Sequence, residues 1–205
     1  MSDAKSAAAD GTPNPENPFA TRFTKPGALS FRFAPGESAE QIGEEFEAED
    51  RRGAIVGLHG TGKSTLLAAL LPLFVARGWK LRQYALHDGE SRLPRAFDGP
   101  FKPTDVLVID GFEQLGWWGR RELWRNVTSA EAGLLVTAHD EVHGLPTLYE
   151  TDSSPEQAIE LIRQLSPAAT KRIPPDEIRK QFAAVDGNVR ELFFKLYDLY
   201  ESQRS

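Results

Sequence analysis

Apolar residues are arranged in two ways along this chain. In one, they form short uninterrupted runs, as at 106–109 and 134–136, which is typical of parallel strands buried on both faces. These runs, together with shorter or less apolar ones, predict strands at 53–58, 79–86, 105–110, 133–137 and 147–151. In the other, apolar residues recur at helical spacing, which predicts helices at about 38–49, 63–77, 113–127, 155–165, 175–184 and 188–202. Such alternation predicts an α/β fold with about five parallel strands, helices on both faces, and a ligand at the carboxyl ends of the strands.

The composition changes along the chain and predicts four regions. Residues 1–18 are rich in Ala, Pro, Asp and Asn and are expected to be a disordered tail. Residues 19–52 form an arm with four phenylalanines, followed by a short acidic helix that Ser38 and Gln41 can cap. Residues 53–152 contain all the predicted strands and form the core. Residues 153–205 are helical and are expected to form a small lid.

A glycine-rich octet lies between the first predicted strand and the next helix. Residues 57–64 read G-L-H-G-T-G-K-S, which satisfies G-x-x-x-x-G-K-S in the strand–loop–helix context that the motif requires. Backbone N–H groups at such a helix start can bind phosphate, Lys63 can reach the β- and γ-phosphates, and Ser64 can ligate Mg²⁺. The motif therefore predicts a nucleoside triphosphate site; a glycine-rich turn without a ligand is the alternative. The expected phosphate-binding residues are Gly57, His59, Gly60, Thr61, Gly62, Lys63, Ser64 and Thr65.

Acidic and polar residues at the ends of the third and fourth strands complete this candidate site. Asp110 ends the third strand, where a carboxylate can hold Mg²⁺ with Ser64; capping a turn is its alternative role. Glu113 is the candidate base for the attacking water, or else a first-turn glutamate placed by the helix dipole. Glu90 is a second candidate for the base. Thr137 ends the fourth strand, where its hydroxyl can contact the γ-phosphate or the water.

The phosphate loop, the Asp-ended third strand and a segment near the C-terminus together resemble the AAA+ and STAND branches of P-loop ATPases. Residues 187–192, G-N-V-R-E-L, are similar to the lid segment of AAA+ proteins, and residues 107–115 are similar to the STAND strand that ends in D-G-h-D/E. The resemblance covers about 50–200 and implies ATP with Mg²⁺ as the ligand. It implies a sensor-2 role for Arg190, which would reach the phosphates from the lid, and a sensor-1 role for Thr137.

The chain departs from the AAA+ pattern in two places that bear on catalysis. Gly111 stands where most AAA+ proteins have the catalytic glutamate, so the position of the base is unusual. After the fourth strand, residues 141–146 read E-V-H-G-L-P and contain no arginine-finger segment. Hydrolysis is therefore expected to be weak or to depend on a partner, because a finger arginine supplies transition-state charge.

Three tryptophans and three arginines are concentrated on the helix predicted after Glu113. Trp117, Arg121 and Trp124 share one face, while Trp118 is adjacent to Trp117, so the two rings cannot both point fully inward. We expect this cluster to pack under the N-terminal arm. Stacking on single-stranded nucleic acid, aided by Arg120, Arg121 and Arg125, is the less favoured alternative.

Bulk composition excludes several classes of site. The 205 residues include no cysteine, which excludes disulfides, thiolate metal sites and a cysteine nucleophile. The N-terminus lacks the order of a secretory signal, and apolar runs are too short to span a membrane, so a cytoplasmic location is expected. The net charge of −6 disfavours bulk attraction to nucleic acid, although a local basic patch could still bind it.

Three functions remain in order of preference. The first is an Mg-ATP-dependent ATPase or switch that acts with a protein partner or by self-association. The second is a nucleotide-binding interaction module that does not hydrolyse ATP, favoured by the absent finger. The third is a small-molecule kinase, for which Arg92 and Arg95 are the hint of an acceptor site.

Overall fold

A single five-stranded sheet forms the centre of the protein. The computed structural model describes residues 17–25, 27–87, 89–97 and 99–203. The strands are β1 (Arg52–Val56), β2 (Lys80–Ala85), β3 (Asp105–Asp110), β4 (Gly133–Ala138) and β5 (Thr147–Glu150). They pair in the order β2-β3-β4-β1-β5, and every pairing is parallel. This is a P-loop NTPase core with a helical C-terminal segment, which confirms the predicted fold class.

Helices cover both faces of the sheet, and successive strand residues alternate between them. The covering helices are α2 (Ala39–Ala48), α3 (Lys63–Ala76) and α4 (Trp117–Ser129). Leu134 and Val136 of β4 pack in one cluster with Leu123 of α4, while Leu135 packs in another with Leu70 of α3. Because the central strands bury both sets of side chains, they need the uninterrupted apolar runs seen in the sequence.

The C-terminal helices form a third apolar cluster. They are α5 (Pro155–Leu165), α6 (Pro167–Arg172), α7 (Pro175–Ala183) and α8 (Val189–Ser202). Asn188 caps α8, since its side chain accepts hydrogen bonds from the N–H groups of Arg190 and Glu191. Helix α6 was not predicted. The sequence does contain a helix-start signal there. The side chain of Ser166 accepts a hydrogen bond from the N–H of Ala169, and a proline occupies the first helical position.

The N-terminal arm extends from the C-terminal helices to the core. Phe19 is buried among the helices against Phe193 and Tyr200, and Phe31 and Phe33 pack edge-to-face on Tyr149 beside the core. A four-residue helix, α1 (Thr21–Thr24), lies within the arm. The predicted tail falls mainly on residues 1–16, which lie outside the described residues.

The segment after β3 differs from its prediction. Phe112–Gln114 form a single 3₁₀ turn, Leu115 is extended with its side chain buried, and α4 begins only at Trp117. A continuous helix from 113 would not allow Leu115 to enter the core as it does, so the turn and helix are separate. Glu113 therefore does not lie in the first turn of α4.

The expected packing of the tryptophans under the arm is wrong. Trp117 and Trp118 are 62% and 75% exposed, and their rings contact each other with centroids 4.4 Å apart. Trp124 is half-buried against the cluster that contains Leu123. In the described part of the arm, Phe19 and Phe31 make their apolar contacts elsewhere, and Trp117 and Trp118 stay exposed at the start of α4.

Candidate nucleotide site

The phosphate loop connects the end of β1 to the start of α3. Gly57, Gly60 and Gly62 all have positive φ, with values of 146°, 76° and 105°. A Cβ on Gly60 would lie 2.0 Å from Oδ1 of Asn188, so the loop approaches the cap of α8 too closely for any side chain. The glycines therefore permit both the loop conformation and the contact with the C-terminal helices.

Lys63 lies at the first position of α3 and turns back into the loop. Its Nζ donates to the carbonyl oxygens of Gly57 and, at 2.7 Å, Leu58. Partial burial lowers the pKa of Lys63, while the negative charges of Glu113 and Asp110 act in the opposite direction. The ammonium group is thus held by two backbone acceptors of the loop.

Asp110 joins three segments of the core through hydrogen bonds. Ser64 Oγ donates to Oδ2 of Asp110 at 2.8 Å, and Thr137 Oγ1 donates to Oδ1 at 2.5 Å. The N–H of Gly111 donates to Thr137 Oγ1 at 2.9 Å, which fixes the threonine hydroxyl. The carboxylate therefore lies between the start of α3 and the end of β4, as expected from three parallel strand ends.

Glu113 contacts a histidine pair on the other side of the pocket. Nε2 of His139 lies 3.1 Å from Oε1 of Glu113 and 3.2 Å from Nδ1 of His59, and the two imidazole rings meet edge-to-face. A single Nε2–H can donate fully to only one of these two acceptors. The other carboxylate oxygen of Glu113, Oε2, is buried and has no hydrogen-bond partner among the described residues.

The histidine that contacts Glu113 is biased toward its neutral form. Burial lowers the pKa of His139 most, and the charges of His59 and Lys63 lower it further. Glu113 and Asp140 act in the opposite direction. A neutral imidazole can donate one hydrogen bond to Oε1 of Glu113, and Oε2 then has no donor among the described residues.

One cavity of about 830 Å³ contains most of the predicted site. Its walls come from the phosphate loop, the ends of β3 and β4, the arm and the C-terminal helices. The predicted residues that line it are His59, Gly60, Thr61, Gly62, Lys63, Ser64, Thr65, Asp110, Glu113, Thr137 and Arg190. Gly57 does not line the cavity and takes part through its carbonyl group.

Three other candidates lie outside this cavity. Glu90 accepts hydrogen bonds from Tyr84 Oη and from the N–H of His87, so its carboxylate is directed to its own loop. Arg92 and Arg95, the basis of the kinase hypothesis, also do not line the cavity. The geometry therefore favours Glu113 over Glu90 as the carboxylate near a bound phosphate.

Two residues without a predicted role support the loop. Thr151, buried after β5, donates to the carbonyl of Val56, and its Oγ1 lies 2.7 Å from that of Thr61. His139 contacts Glu113, as described above. No local pattern marks Thr151, because its role depends on β5 pairing with β1. A polar residue two positions after a strand end was the available signal for His139.

The donor set fits a nucleotide with magnesium better than a metal ion alone. In the described part of the chain, no cluster of three or more His, Asp or Glu side chains is placed to hold a metal. Magnesium typically takes one or two protein oxygens together with substrate phosphates and waters, and Ser64 with Asp110 supplies two such oxygens.

Among the described residues, no helix is both long and apolar enough to cross a membrane.

Comparisons with known proteins found similar solved structures but no matching sequence family. No family model matches the chain, and no curated protein matches it. Similar solved structures include the Thermotoga maritima RuvB Holliday junction branch migration motor, with 14% identity over 78% of this chain and 67% of that chain, at a TM-score of 0.46. They also include AMPPCP-bound DnaA from Aquifex aeolicus, with 13% identity over 84% and 68% of the two chains, at a TM-score of 0.47.

A third similar structure is a STAND protein with a tetratricopeptide repeat sensor from Pyrococcus horikoshii. It is 16% identical over 76% of this chain but only 30% of its own length, at a TM-score of 0.39. These structural neighbours are AAA+ and STAND P-loop ATPases. At such identities the similarity concerns the fold alone and assigns no role to any residue.

Proposed function

We propose that this protein binds ATP with Mg²⁺ and hydrolyses it, slowly alone and faster with a partner. The observation that carries the proposal is the position of Asp110, hydrogen-bonded to both Ser64 and Thr137 beside the phosphate loop. These three side chains come from α3, β3 and β4, and a strand-capping aspartate has no need of that convergence. A site that holds magnesium and senses the γ-phosphate requires it.

The residues around Asp110 then have distinct binding roles. Lys63 would exchange its carbonyl acceptors for the β- and γ-phosphates, with which an ammonium group makes stronger, charge-assisted hydrogen bonds. Ser64 would ligate Mg²⁺, and Asp110 would hold the same ion directly or through water. When bound, Mg²⁺ supplies charge neutralisation at the phosphates. Thr137 would orient the γ-phosphate or the attacking water.

Glu113 is the proposed base. Its buried Oε2 has acceptor capacity that no described residue uses, so it can take a proton from a water positioned at the γ-phosphate. As that proton moves to Glu113, the water oxygen bonds to the γ-phosphorus and the bond to the β–γ bridging oxygen breaks. His139 orients the carboxylate through Oε1.

Arg190 is the proposed cation from the C-terminal helices. It is exposed at the start of α8 and lines the same cavity as Lys63 and Glu113. A cation at a helix N-terminus is disfavoured by the helix dipole, and a bound phosphate would offset this cost. Arg190 would thereby connect the phosphate state to the position of the C-terminal helices. A protein partner or a second copy of the chain would supply any further arginine.

The test measures steady-state ATP hydrolysis and binding of a fluorescent ATP analogue in parallel. Glu113→Gln is expected to lower turnover by about 100-fold or more while binding is retained, because general-base catalysis contributes roughly that factor. Arg190→Ala is expected to lower turnover with a smaller loss of binding. Glu141→Gln, in the exposed loop after β4, and Arg179→Ala, exposed on α7, are matched controls that should behave as wild type.

Each result decides between the two leading functions. Loss of turnover in Glu113→Gln with normal binding supports the ATPase. Magnesium-dependent binding with turnover that is undetectable in wild type, at any protein concentration, supports a nucleotide-binding module. The contact between His139 and Glu113 is the observation that favours this second function, since it occupies one oxygen of the base. Absence of ATP binding would contradict both.

A further inference from the structure

A second cavity, which we call the tryptophan groove, adjoins the turn Phe112–Gln114 that also borders the nucleotide site. It has a volume of about 770 Å³ and is formed by the first turns of α4 and by the loop after β4. Its lining residues are Phe112, Trp117, Trp118, Arg120, Arg121, Glu122, Trp124, Arg125, Val142 and His143. The proposed ATPase uses none of these side chains.

Two large aromatic rings are presented to solvent at the edge of this groove. Trp117 and Trp118 are 62% and 75% exposed, although tryptophan carries more apolar surface than any other side chain. Their rings are nearly perpendicular, at 79°, so they do not cover each other's faces as a stacked pair would. Exposed faces of this kind are available for stacking with planar groups.

The charge of the groove is opposite to that of the whole chain. Three arginines line it against a single glutamate, whereas the chain carries a net charge of −6. The guanidinium group of Arg121 lies over the Trp117 ring, 5.9 Å from its centre, so a positive charge and an exposed indole occupy the same part of the groove. Arg125 lies 3.7 Å from Glu122 on the exposed side of α4, which leaves it accessible to a second anion.

We infer that the tryptophan groove binds single-stranded nucleic acid. An unpaired strand combines planar bases, which stack on tryptophan, with phosphates, which arginine binds through its planar fork. A duplex presents phosphates but hides the faces of its bases, so it uses only half of this surface. An acidic polypeptide likewise matches the arginines but leaves the two indole faces without a planar partner.

The groove also adjoins the candidate base. Phe112 forms part of its floor, and the next residue, Glu113, lines the nucleotide site. Arg120 connects the two regions, since its Nε donates to the carbonyl of Leu115 at 2.6 Å and an Nη group donates to that of Glu113 at 2.9 Å. A nucleic-acid strand bound in the groove would therefore contact Arg120, the residue that holds the turn Phe112–Gln114.

The binding experiment uses the full chain with fluorescein-labelled dT20 and U20, without ATP, so that it does not depend on the proposed hydrolysis. Fluorescence anisotropy at several salt concentrations is expected to show binding that weakens as salt rises. Trp118→Ala and Trp117→Ala should each weaken binding about tenfold, as expected for loss of one stacking platform. Phe194→Ala, an exposed aromatic residue on α8, is the matched control and should have no effect.

The arginines give a separate signature. Arg121→Ala and Arg125→Ala should each reduce the slope of log affinity against log salt by about 0.7, the value for one lost contact with a single strand. Arg179→Ala should not change it. The relative affinity for dT20 and U20 distinguishes DNA from RNA. Normal binding of the fluorescent ATP analogue shows that each variant is folded.

Three results would overturn the inference. The first is no binding of either strand at low salt. The second is binding that the tryptophan substitutions do not change. The third is equal or tighter binding of polyglutamate, or of a duplex of the same length, because either would show that charge alone, or a protein partner, accounts for the groove.

Discussion

The two cavities that flank the turn Phe112–Gln114 are constructed in opposite ways. The nucleotide site brings together residues from the phosphate loop, β3, β4 and α8, and its central carboxylate already has hydrogen-bond donors from Ser64 and Thr137. The tryptophan groove is formed mostly by one helix, and two of its three tryptophans are exposed to solvent. In the nucleotide site, polar side chains are already hydrogen-bonded to one another. The tryptophan groove is an open surface, and its exposed rings and charged groups are available to a binding partner.

This difference explains how strongly each region depends on the fold. A shift of one strand would separate Ser64, Asp110 and Thr137, because each lies on a different element. The tryptophans and arginines of α4 would keep their mutual positions as long as the helix itself formed. The relative positions of the side chains therefore depend on the tertiary structure in the nucleotide site, and on helical spacing in the tryptophan groove. Four substitutions test this contrast.

Phe112→Ala should have the largest effect and should damage both regions. Phe112 is buried in the core beneath the turn and lies under the guanidinium group of Arg120 at 5.0 Å. Removing a buried phenylalanine costs about 3–5 kcal/mol in the free energy of unfolding, measured here by urea denaturation. Phe112→Leu, which keeps most of the apolar volume, should cost less. Equal, small effects of both would mean that the turn does not depend on this side chain.

Lys63→Ala should affect the nucleotide site alone. Loss of the ammonium group is expected to weaken binding of the fluorescent ATP analogue on the order of 100-fold, as for truncation of one partner in a buried charged contact. Lys80→Ala, an exposed lysine on β2, is the control. Affinity for dT20, measured without ATP, should not change; a large change would show that the two regions are not separate surfaces.

Arg120→Ala should disturb the connection between the regions. It removes two hydrogen bonds to the turn, and we expect a loss of about 2 kcal/mol in the free energy of unfolding. ATP turnover should fall as well, because the backbone of Glu113 loses its anchor. Arg125→Ala, on the same helix but bonded to Glu122, should leave both stability and turnover near wild type. Equal effects of the two substitutions would contradict the anchoring role.

His139 should give the smallest effect, confined to acidic pH. Folding lowers the pKa of His139 below its value of about 6.5 in the unfolded chain, so the folded protein favours the neutral imidazole over the protonated one. The stability that this provides is fully present above pH 6.5 and is lost as the pH falls through that value toward the lower pKa of the folded state. His139→Gln should flatten this decline in urea denaturation between pH 7 and 5. His143→Gln, in the exposed loop, is the control.

Much of the core was predictable because its signals are local. The runs at β3 and β4 gave their bounds within a residue, and the phosphate motif predicted where α3 begins. The helical spacing of apolar residues predicted α8 for the same reason. Helix α6 was missed because it has only six residues, and the start of α4 was misplaced because burial of Leu115 overrides helical periodicity. The tryptophans could not be placed, since aromatic spacing does not tell which face another segment covers.

By itself, the sequence determined the α/β class, the phosphate loop with Lys63 and Ser64, and the presence of an aromatic, basic helix. Each depends on residues close together in the chain, where spacing translates directly into geometry. Only the tertiary structure brought His139 and His59 to Glu113, placed Thr151 beneath the loop, and left Trp117 and Trp118 exposed. The side-chain contacts among these residues join positions 26 to 90 apart in the chain, and strand order and packing decide them.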